Sequence, residues 1–201
     1  IIGVGTTAMI VADIIIENHN FRLAGFVGTP KEEKRLRRSK VYRNVPFLGD
    51  HSILSTLIEG DIMGFIVAVG DNQIREKLFY EGSQAGLVPI NAISNRAIIN
   101  PDVSFGKGVV VSPGVVLSHG VNLGNNIILD PSVTIDVNSS ISDHCYLYPG
   151  VTVCGGCTIE KNVTLGVGVI IEPEKKIGKN NNIPTGTVIR DSLKGLYRKK
   201  A

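Results

Sequence analysis

The chain has 201 residues, of which 43% are hydrophobic and 19% are charged. This composition excludes an intrinsically disordered chain and predicts one or two globular domains. The formal net charge of +3 is too small to indicate nucleic-acid binding by itself.

Three further features concern the compartment. No run reaches the roughly 18 apolar residues that a membrane span requires, so no span is predicted. The odd number of cysteines gives no disulfide framework and favours a reducing compartment. We see no signal peptide and expect a cytoplasmic protein. The start on Ile1-Ile2-Gly3, without a methionine, suggests that the natural chain begins earlier.

The first 96 residues alternate between strand-like and helix-like segments, which predicts a small Rossmann-like α/β domain with parallel strands. The segments are an apolar start at Ile1-Ile2, an apolar-periodic stretch Met9–Glu17, a strand Arg22–Val27, a helix-like stretch Ser52–Glu59, a buried strand Phe65–Val69 and an amphipathic stretch Gln73–Gln84. The basic segment Lys31–Arg43 is expected to be a solvated loop of this domain, with attraction of anionic sugars or nucleotides as the alternative.

A glycine loop, Gly3-x-Gly5, lies between the first strand and the first helix, with Ala8 at the third position of the dinucleotide fingerprint. Such loops bind phosphates through backbone N–H groups and the helix dipole. No acidic residue follows the second strand to hold a ribose, because Gly28 and Thr29 stand there. Nucleotide or sugar-nucleotide binding is the favoured interpretation, and a dinucleotide redox role and a purely structural turn remain alternatives.

The second half of the chain repeats with a period of six residues. A large apolar residue recurs at Ile99, Phe105, Val111, Leu117, Leu123, Leu129, Ile135, Ile141, Leu147, Val153, Ile159, Leu165, Ile171, Ile177, Ile183 and Ile189. A second set, two positions earlier, is β-branched or small until Lys175, Asn181 and Thr187. A period of six does not keep one face on an α-helix, but it gives one short strand and one turn per repeat. We therefore predict a parallel β-helix over residues 97–189.

A basic tail over residues 190–201 follows the β-helix and is expected to be solvated, with contacts to the phosphates of a bound ligand as the alternative. The basic segments lack interleaved aromatic residues beyond Tyr42 and Tyr197, so nucleic acid is not an expected partner. The pair Cys154-x-x-Cys157 has the spacing of a metal or redox motif, but no second pair completes a zinc site. The repeat gives Cys157 a core position, so core packing is favoured and no metal is expected.

The chain resembles the bacterial sugar O- and N-acyltransferases. The segment Ala68-Val69-Gly70-Asp71-Asn72-x-Ile74-Arg75 between the α/β domain and the repeats, and Tyr148-Pro149-Gly150-Val151 within them, carry this resemblance. The family includes sialic acid O-acetyltransferases and an enzyme that N-acetylates a UDP-4-amino sugar. The resemblance covers essentially the whole chain. It implies a homotrimer of left-handed β-helices, acetyl-CoA bound between neighbouring subunits, a nucleotide-sugar in the N-terminal domain and a role in cell-surface polysaccharide synthesis.

The same resemblance assigns candidate binding residues by position. Substrate contacts are expected at Gly5, Thr6, Thr7, Gly28, Thr29 and Gly49, and acetyl-CoA contacts at Tyr146, Val167 and Thr185.

The sequence departs from the family at the catalytic residues. Val137 occupies the position of the family's catalytic histidine, Tyr146 that of a second histidine and Thr7 that of the histidine in the glycine loop. An aliphatic side chain cannot accept a proton from an amine or a hydroxyl. His119, one 18-residue coil before Val137, is a candidate replacement base, with a plain surface histidine as the alternative interpretation.

Asp136 and Asp143 are weaker candidate bases, while His144 is expected to face solvent at a turn. Two functions therefore remain open. The first is an acetyl-CoA-dependent acyltransferase with an atypical site, acting on an amine or hydroxyl of a sugar or nucleotide-sugar. The second is a catalytically inactive trimeric relative that binds a nucleotide-sugar or a partner protein.

Overall fold

The computed structural model describes residues 1–39 and 44–197. The chain divides into two compact units, Ile1–Ala92 and Ile93–Ala201. Within the described residues, no helix combines the length and the hydropathy needed to cross a membrane.

The N-terminal unit is a parallel α/β domain, as the alternating segments predict. Its central connection is Ile2, which forms parallel bridges with both Val27 and Val67. The helices are α1 (Thr6–Asn18), α2 (Pro30–Ser39) and α3 (Asn72–Gln84), with two short 3-10 helices at His51–Thr56 and Ile58–Gly60. The strands are β1 (Phe26–Val27) paired with β2 (Phe47–Gly49), and β3 (Gly64–Phe65) paired with β4 (Val88–Pro89).

The expected loop at Lys31–Arg43 is wrong where the structure describes it, because residues up to Ser39 belong to α2, and residues 40–43 lie outside the described residues. A capping box begins this helix. The Thr29 amide and hydroxyl both donate to Glu32 Oε2, at 2.7 and 2.9 Å, and the Glu32 amide donates to Thr29 Oγ1 at 3.3 Å. Pro30 occupies the first helical position, where its missing N–H costs nothing.

The segment that begins α3 is held by a buried arginine. Asp71 is the N-cap, and its carboxylate accepts a hydrogen bond from the Ile74 amide at 2.9 Å. The Arg75 guanidinium, fully buried, donates to the carbonyl oxygens of Val69 and Gly70 and to Asn72 Oδ1. The Gly-Asp-Asn motif thus has a structural purpose, because it fixes the turn at the carboxyl end of the strand through Val67.

The second unit is a left-handed parallel β-helix with two-residue strands every six residues. Face A consists of β5 (Ala92–Ile93), β8 (Val110–Val111), β11 (Ile128–Leu129), β14 (Tyr146–Leu147), β17 (Thr164–Leu165) and β20 (Asn182–Ile183). Face B consists of β6 (Ile98–Ile99), β9 (Val116–Leu117), β12 (Thr134–Ile135), β15 (Thr152–Val153), β18 (Ile170–Ile171) and β21 (Val188–Ile189). Face C consists of β7 (Ser104–Phe105), β10 (Asn122–Leu123), β13 (Ser140–Ile141), β16 (Thr158–Ile159) and β19 (Lys176–Ile177).

Each strand pairs in parallel with the strand 18 residues away, so equivalent residues of successive coils form columns. Three corners connect the faces: corner AB includes residues 112–114 and 130–132, corner BC residues 118–120 and 136–138, and corner CA residues 124–126 and 142–144. The two apolar sets of the repeat form one continuous core inside the coils.

The β-helix begins one repeat earlier than the sequence ladder indicates. Ile93 lies six residues before Ile99 and packs against the same core, and the Ser94 amide donates to the Val111 carbonyl at 2.9 Å. The segment Asn95–Asn100, which looks like a linker in sequence, therefore lies within the first coil, where β6 is already paired with β9. The contact boundary between the units falls at 92/93, four residues before the predicted one.

The described part of the basic tail, residues 190–197, closes the last coil through Leu193 and Tyr197, while its other residues are exposed as expected. Leu193 forms a parallel bridge with Ile177 and packs against the core. Asn181 stands at an inward position that is apolar in most coils, and it is buried. Its amide donates to the carbonyl oxygens of Gly178 and Gly195, at 2.7 and 3.2 Å, and its oxygen accepts from the Tyr197 amide at 2.6 Å. The tail thus supplies the polar partners that this buried amide requires.

We expect Asn181→Ala to lower the free energy of unfolding by about 2 kcal/mol, since it removes three hydrogen bonds, including the buried one to the Gly178 carbonyl. Limited proteolysis of this variant should release residues after Ile189 first. Asn182→Ala, at the neighbouring exposed position, is the matched control and should change stability by less than about 0.5 kcal/mol. Equal stability of the two variants in urea denaturation would contradict the role of Asn181.

Candidate functional site

One position in the glycine loop of the N-terminal unit can be occupied only by glycine. Gly3 has φ +111°, and a Cβ there would lie 2.7 Å from the Ala68 carbonyl oxygen. Gly5 is the N-cap of α1 and provides no side-chain cap. The first N–H groups of a helix have no partner within the helix, and they carry the positive end of its dipole. Gly3 is therefore a structural requirement, and Gly5, Thr6 and Thr7 present the helix N-terminus.

The other predicted substrate residues lie at the same edge of the sheet. Gly28 and Thr29 follow β1, and Gly49 ends β2, at the carboxyl ends of parallel strands where α/β domains bind ligands. The Gly28 amide donates to the Gly49 carbonyl at 3.1 Å. Glu32, which caps α2 from this edge, supplies a carboxylate that we did not predict. The sequence signal for it is the capping pattern Thr29-Pro30-x-Glu32.

In the β-helix, Val137 and His119 stand in one column of corner BC. The Asn138 amide donates to the His119 carbonyl at 2.9 Å, and the Gly156 amide donates to the Val137 carbonyl at the same distance. The Val137 side chain is 42% exposed. Asp136 precedes it in the corner and is half-buried. The column derived from the repeat is confirmed, while catalytic roles for His119 and Asp136 stay predictions.

His119 has a carboxylate partner. Its Nδ1 lies 2.8 Å from Asp102 Oδ2, with 69% of the histidine side chain exposed. Asp102 also accepts from the Gly120 amide at 2.8 Å, which holds the carboxylate in place. Since a carboxylate accepts hydrogen bonds, Nδ1 carries the proton and Nε2 is left as the basic nitrogen. This arrangement can accept a proton from a ligand at the surface of corner BC.

Corner AB brings together the predicted coenzyme residues. Val167 and Thr185 stand one coil apart in one exposed column, and the Gly186 amide donates to the Val167 carbonyl at 2.8 Å. Tyr146, on β14 at the edge of this corner, is buried. Its ring stacks on Tyr148 with centroids 4.2 Å apart.

Asp130 is a functional candidate that sequence reasoning missed. It lies in corner AB with its side chain almost fully buried, and the Tyr146 hydroxyl donates to its Oδ2 at 2.9 Å. Burial raises the pKa of this carboxyl from 3.8 to about 6, while the hydrogen bond from Tyr146 opposes the increase. The available signal was a carboxylate in a column whose two preceding coils hold Ser94 and Ser112.

Two other polar residues have structural explanations. His144, expected at the surface, is buried, and its Nδ1 lies 2.8 Å from the Asn126 amide nitrogen one coil earlier. The left-handed backbone at this corner, with φ +60°, accompanies this inward placement. Cys157 is buried in the core as predicted, its thiol donates to the Glu172 carbonyl, and burial raises the pKa of the thiol. Among the described residues, no group of three or more His, Cys, Asp or Glu could hold a metal ion.

The raised pKa of Asp130 makes stability depend on pH. Because the folded protein holds this proton more tightly than the unfolded chain, stability is highest below pH 4 for this group and falls as pH rises to about 6. We expect Asp130→Asn to raise the free energy of unfolding at pH 7.5 by up to about 3 kcal/mol, with no gain at pH 4. Urea denaturation at the two pH values measures this, and an equal effect at both would contradict it.

Comparisons with known proteins concern both units. The sequence model of the PglD N-terminal domain matches residues 1–81. A structure of PerB from Caulobacter crescentus in complex with CoA and GDP-perosamine superposes with a TM-score of 0.86 at 27% identity. The match covers 96% of this chain and 88% of that one. The acetyltransferase domain of PglB from Neisseria gonorrhoeae has the same TM-score at 20% identity, covering 96% of this chain and 90% of that one, and it shows the fold alone.

Proposed function

We propose that this chain transfers an acetyl group from acetyl-CoA to a nucleotide-linked sugar. Its first 81 residues match the PglD N-terminal domain, and nearly the whole chain resembles perosamine N-acetyltransferase in structure. The similarity to the GDP-perosamine complex of PerB, which extends over nearly the whole chain, supports this activity. Acetyl-CoA is a cytoplasmic metabolite, so the reaction belongs in the cytoplasm.

The nucleotide-sugar is proposed to bind at the sheet edge of the N-terminal unit. The α1 N-terminus at Gly5, Thr6 and Thr7 suits the diphosphate, because backbone N–H groups and the helix dipole both favour negative charge. Gly28, Thr29 and Gly49 end the neighbouring strands and suit the nucleoside, with Glu32 available for ribose hydroxyls.

Acetyl-CoA is proposed to lie along corner AB. Val167 and Thr185 form an exposed column there, and the column leads along the β-helix toward the level of Tyr146. The exposed apolar side chain of Val167 suits the pantetheine arm, which is uncharged.

Face B is proposed to be the contact between three copies of the chain. Its outward side chains are apolar or threonine, and Ile98, Ile170 and Val188 are exposed. The outward residues of face C are polar instead, namely Ser104, Asn122, Ser140, Thr158 and Lys176. A contact around a three-fold axis is heterologous, so it joins different edges of neighbouring copies.

His119 is proposed as the general base, oriented by Asp102. The acceptor atom forms a bond to the acetyl carbon, and the carbon–sulfur bond of the thioester breaks. The acceptor's proton passes to Nε2 of His119 and then to the leaving thiolate of CoA. The observation that carries this role is the 2.8 Å pair between His119 Nδ1 and Asp102 Oδ2, in the column where Val137 cannot act.

One observation favours a second candidate, a binding protein without activity. Val137 stands where its family has the catalytic histidine, and its side chain has no proton acceptor. Such a protein would keep nucleotide-sugar binding in the N-terminal unit and lack transfer.

Thiol release from acetyl-CoA in the presence of GDP-perosamine or UDP-4-amino sugars separates the two functions. We expect turnover by the native protein. His119→Gln should lower kcat by 10²-fold or more and Asp102→Asn by a smaller factor, because a positioned base contributes about 10²–10⁴-fold. His19→Asn, at an exposed left-handed position of α1, is the control and should retain full activity. Absence of both turnover and CoA binding would refute the proposal that the chain is an acetyltransferase.

The proposed trimer contact can be tested by introducing charged side chains on face B. We expect the double variant Ile98→Lys/Ile170→Lys to sediment as a monomer and to lose transferase activity, since two buried ammonium groups would be desolvated in the contact. Asn122→Lys, exposed on face C, is the matched control and should remain trimeric. A trimeric double variant would exclude face B as the contact.

A further inference from the structure

We propose that Asp130, with Tyr146 beside it, binds the nitrogen of the acceptor and thereby selects an amino sugar over a hydroxyl acceptor. This inference rests on the proposed function and adds a specificity-determining residue to it. Both residues belong to corner AB and its edge, where acetyl-CoA is proposed to lie.

The first observation is that the Asp130 carboxyl is buried and has few hydrogen-bond donors around it. Asp130 is 6% exposed, and among the described residues its carboxyl has one donor, the Tyr146 hydroxyl. An ionised carboxylate offers about four acceptor sites. An ionised carboxylate with so little hydration is costly, and the raised pKa of Asp130 reflects this cost. A ligand that brings N–H donors would offset it.

A second polar atom lacks a partner in the same column. Ser112 stands 18 residues before Asp130 and is fully buried, and its Oγ has no hydrogen-bond partner within residues 1–39 and 44–197. Equivalent residues of adjacent coils lie about 4.8 Å apart. Buried hydroxyls are normally hydrogen-bonded, so this column contains under-satisfied polar groups in two adjacent coils. Of the two, only the Asp130 carboxyl retains some exposure through which a ligand could reach it.

Charge decides which ligand atom fits. A sugar amine is largely protonated near neutral pH, and an ammonium group complements a buried carboxylate, whereas a hydroxyl supplies one hydrogen bond and no charge. The stacked rings of Tyr146 and Tyr148 add an aromatic surface that suits a cation. An amino sugar therefore gains more from this cluster than its hydroxyl counterpart does.

The position of Asp130 also agrees with the proposed role of His119 as the general base. Corner AB and corner BC are the two edges of face B, so Asp130 and His119 lie on opposite edges of it. In a three-fold contact through face B, the Asp130 edge of one copy meets the His119 edge of the next. An acceptor nitrogen held by Asp130 would then have a base supplied from the neighbouring copy.

The test uses two pairs of acceptors, GDP-perosamine and a UDP-4-amino sugar, each with its 4-hydroxy counterpart. Calorimetry with the protein of residues 1–201 measures binding, and thiol release measures KM and kcat. Asp130→Asn should weaken binding of the amino acceptors at least tenfold and raise their KM. The KM for acetyl-CoA and the weak binding of the hydroxy counterparts should not change. Asp191→Asn, an exposed aspartate in the tail, is the matched control.

A pH series separates this role from a structural one. Amine binding should increase as pH rises through about 6, where Asp130 ionises. Tyr146→Phe removes a hydrogen bond that lowers this pKa, so its midpoint should move to higher pH. Equal binding of amino and hydroxy acceptors by the native protein, or an unchanged amino preference in Asp130→Asn, would overturn the inference even if turnover is observed. Absence of CoA binding and turnover refutes the proposed function instead, while calorimetry with the amino sugar alone still decides the role of Asp130.

Discussion

The backbone hydrogen bonds between coils, made with a constant offset of 18 residues, are the constraint on which the β-helix depends. They fix every residue of one coil directly beside its equivalent in the next. A two-residue strand gains little alone, so the unit is stable because each coil completes its neighbour. The same offset places side chains in columns, which sets His119 beside Val137 and Ser112 beside Asp130.

This regularity explains which features the sequence predicts. The apolar ladder predicts the β-helix and the columns, because position in the repeat determines whether a side chain faces the core. It does not predict the burial of His144 or the hydrogen bond between Asp130 and Tyr146, since corner side chains depend on local backbone and on neighbours 16 to 18 residues away. Helix α2 was missed because its charge pattern was weighed above the capping signal of Thr29 and Glu32.

Two buried polar residues of the β-helix differ in how many hydrogen-bond partners the fold provides for them. Asn181 occupies a core position, and the tail meets its hydrogen-bonding needs through Gly195 and Tyr197. Within the described part of the chain, the Asp130 carboxyl has one donor, the Tyr146 hydroxyl, and ionisation of this carboxyl near pH 6 lowers the stability of the folded state. A group that destabilises its own fold at neutral pH is more readily explained by ligand binding than by structure.

By resemblance to the sugar acyltransferases, Val137 stands at the position of their catalytic histidine, and the columns show what this would require. His119 lies one coil toward the N-terminus, so a base there requires an acceptor displaced by about 4.8 Å along the β-helix. Ser112 lies one coil toward the N-terminus of Asp130, so the cluster in corner AB spans the same two coils. A nitrogen bound on the Ser112 side of Asp130 would thus lie toward the coil that carries His119. The departures at the two corners are consistent with a single shift of the acceptor, and loss of catalysis alone would not require both.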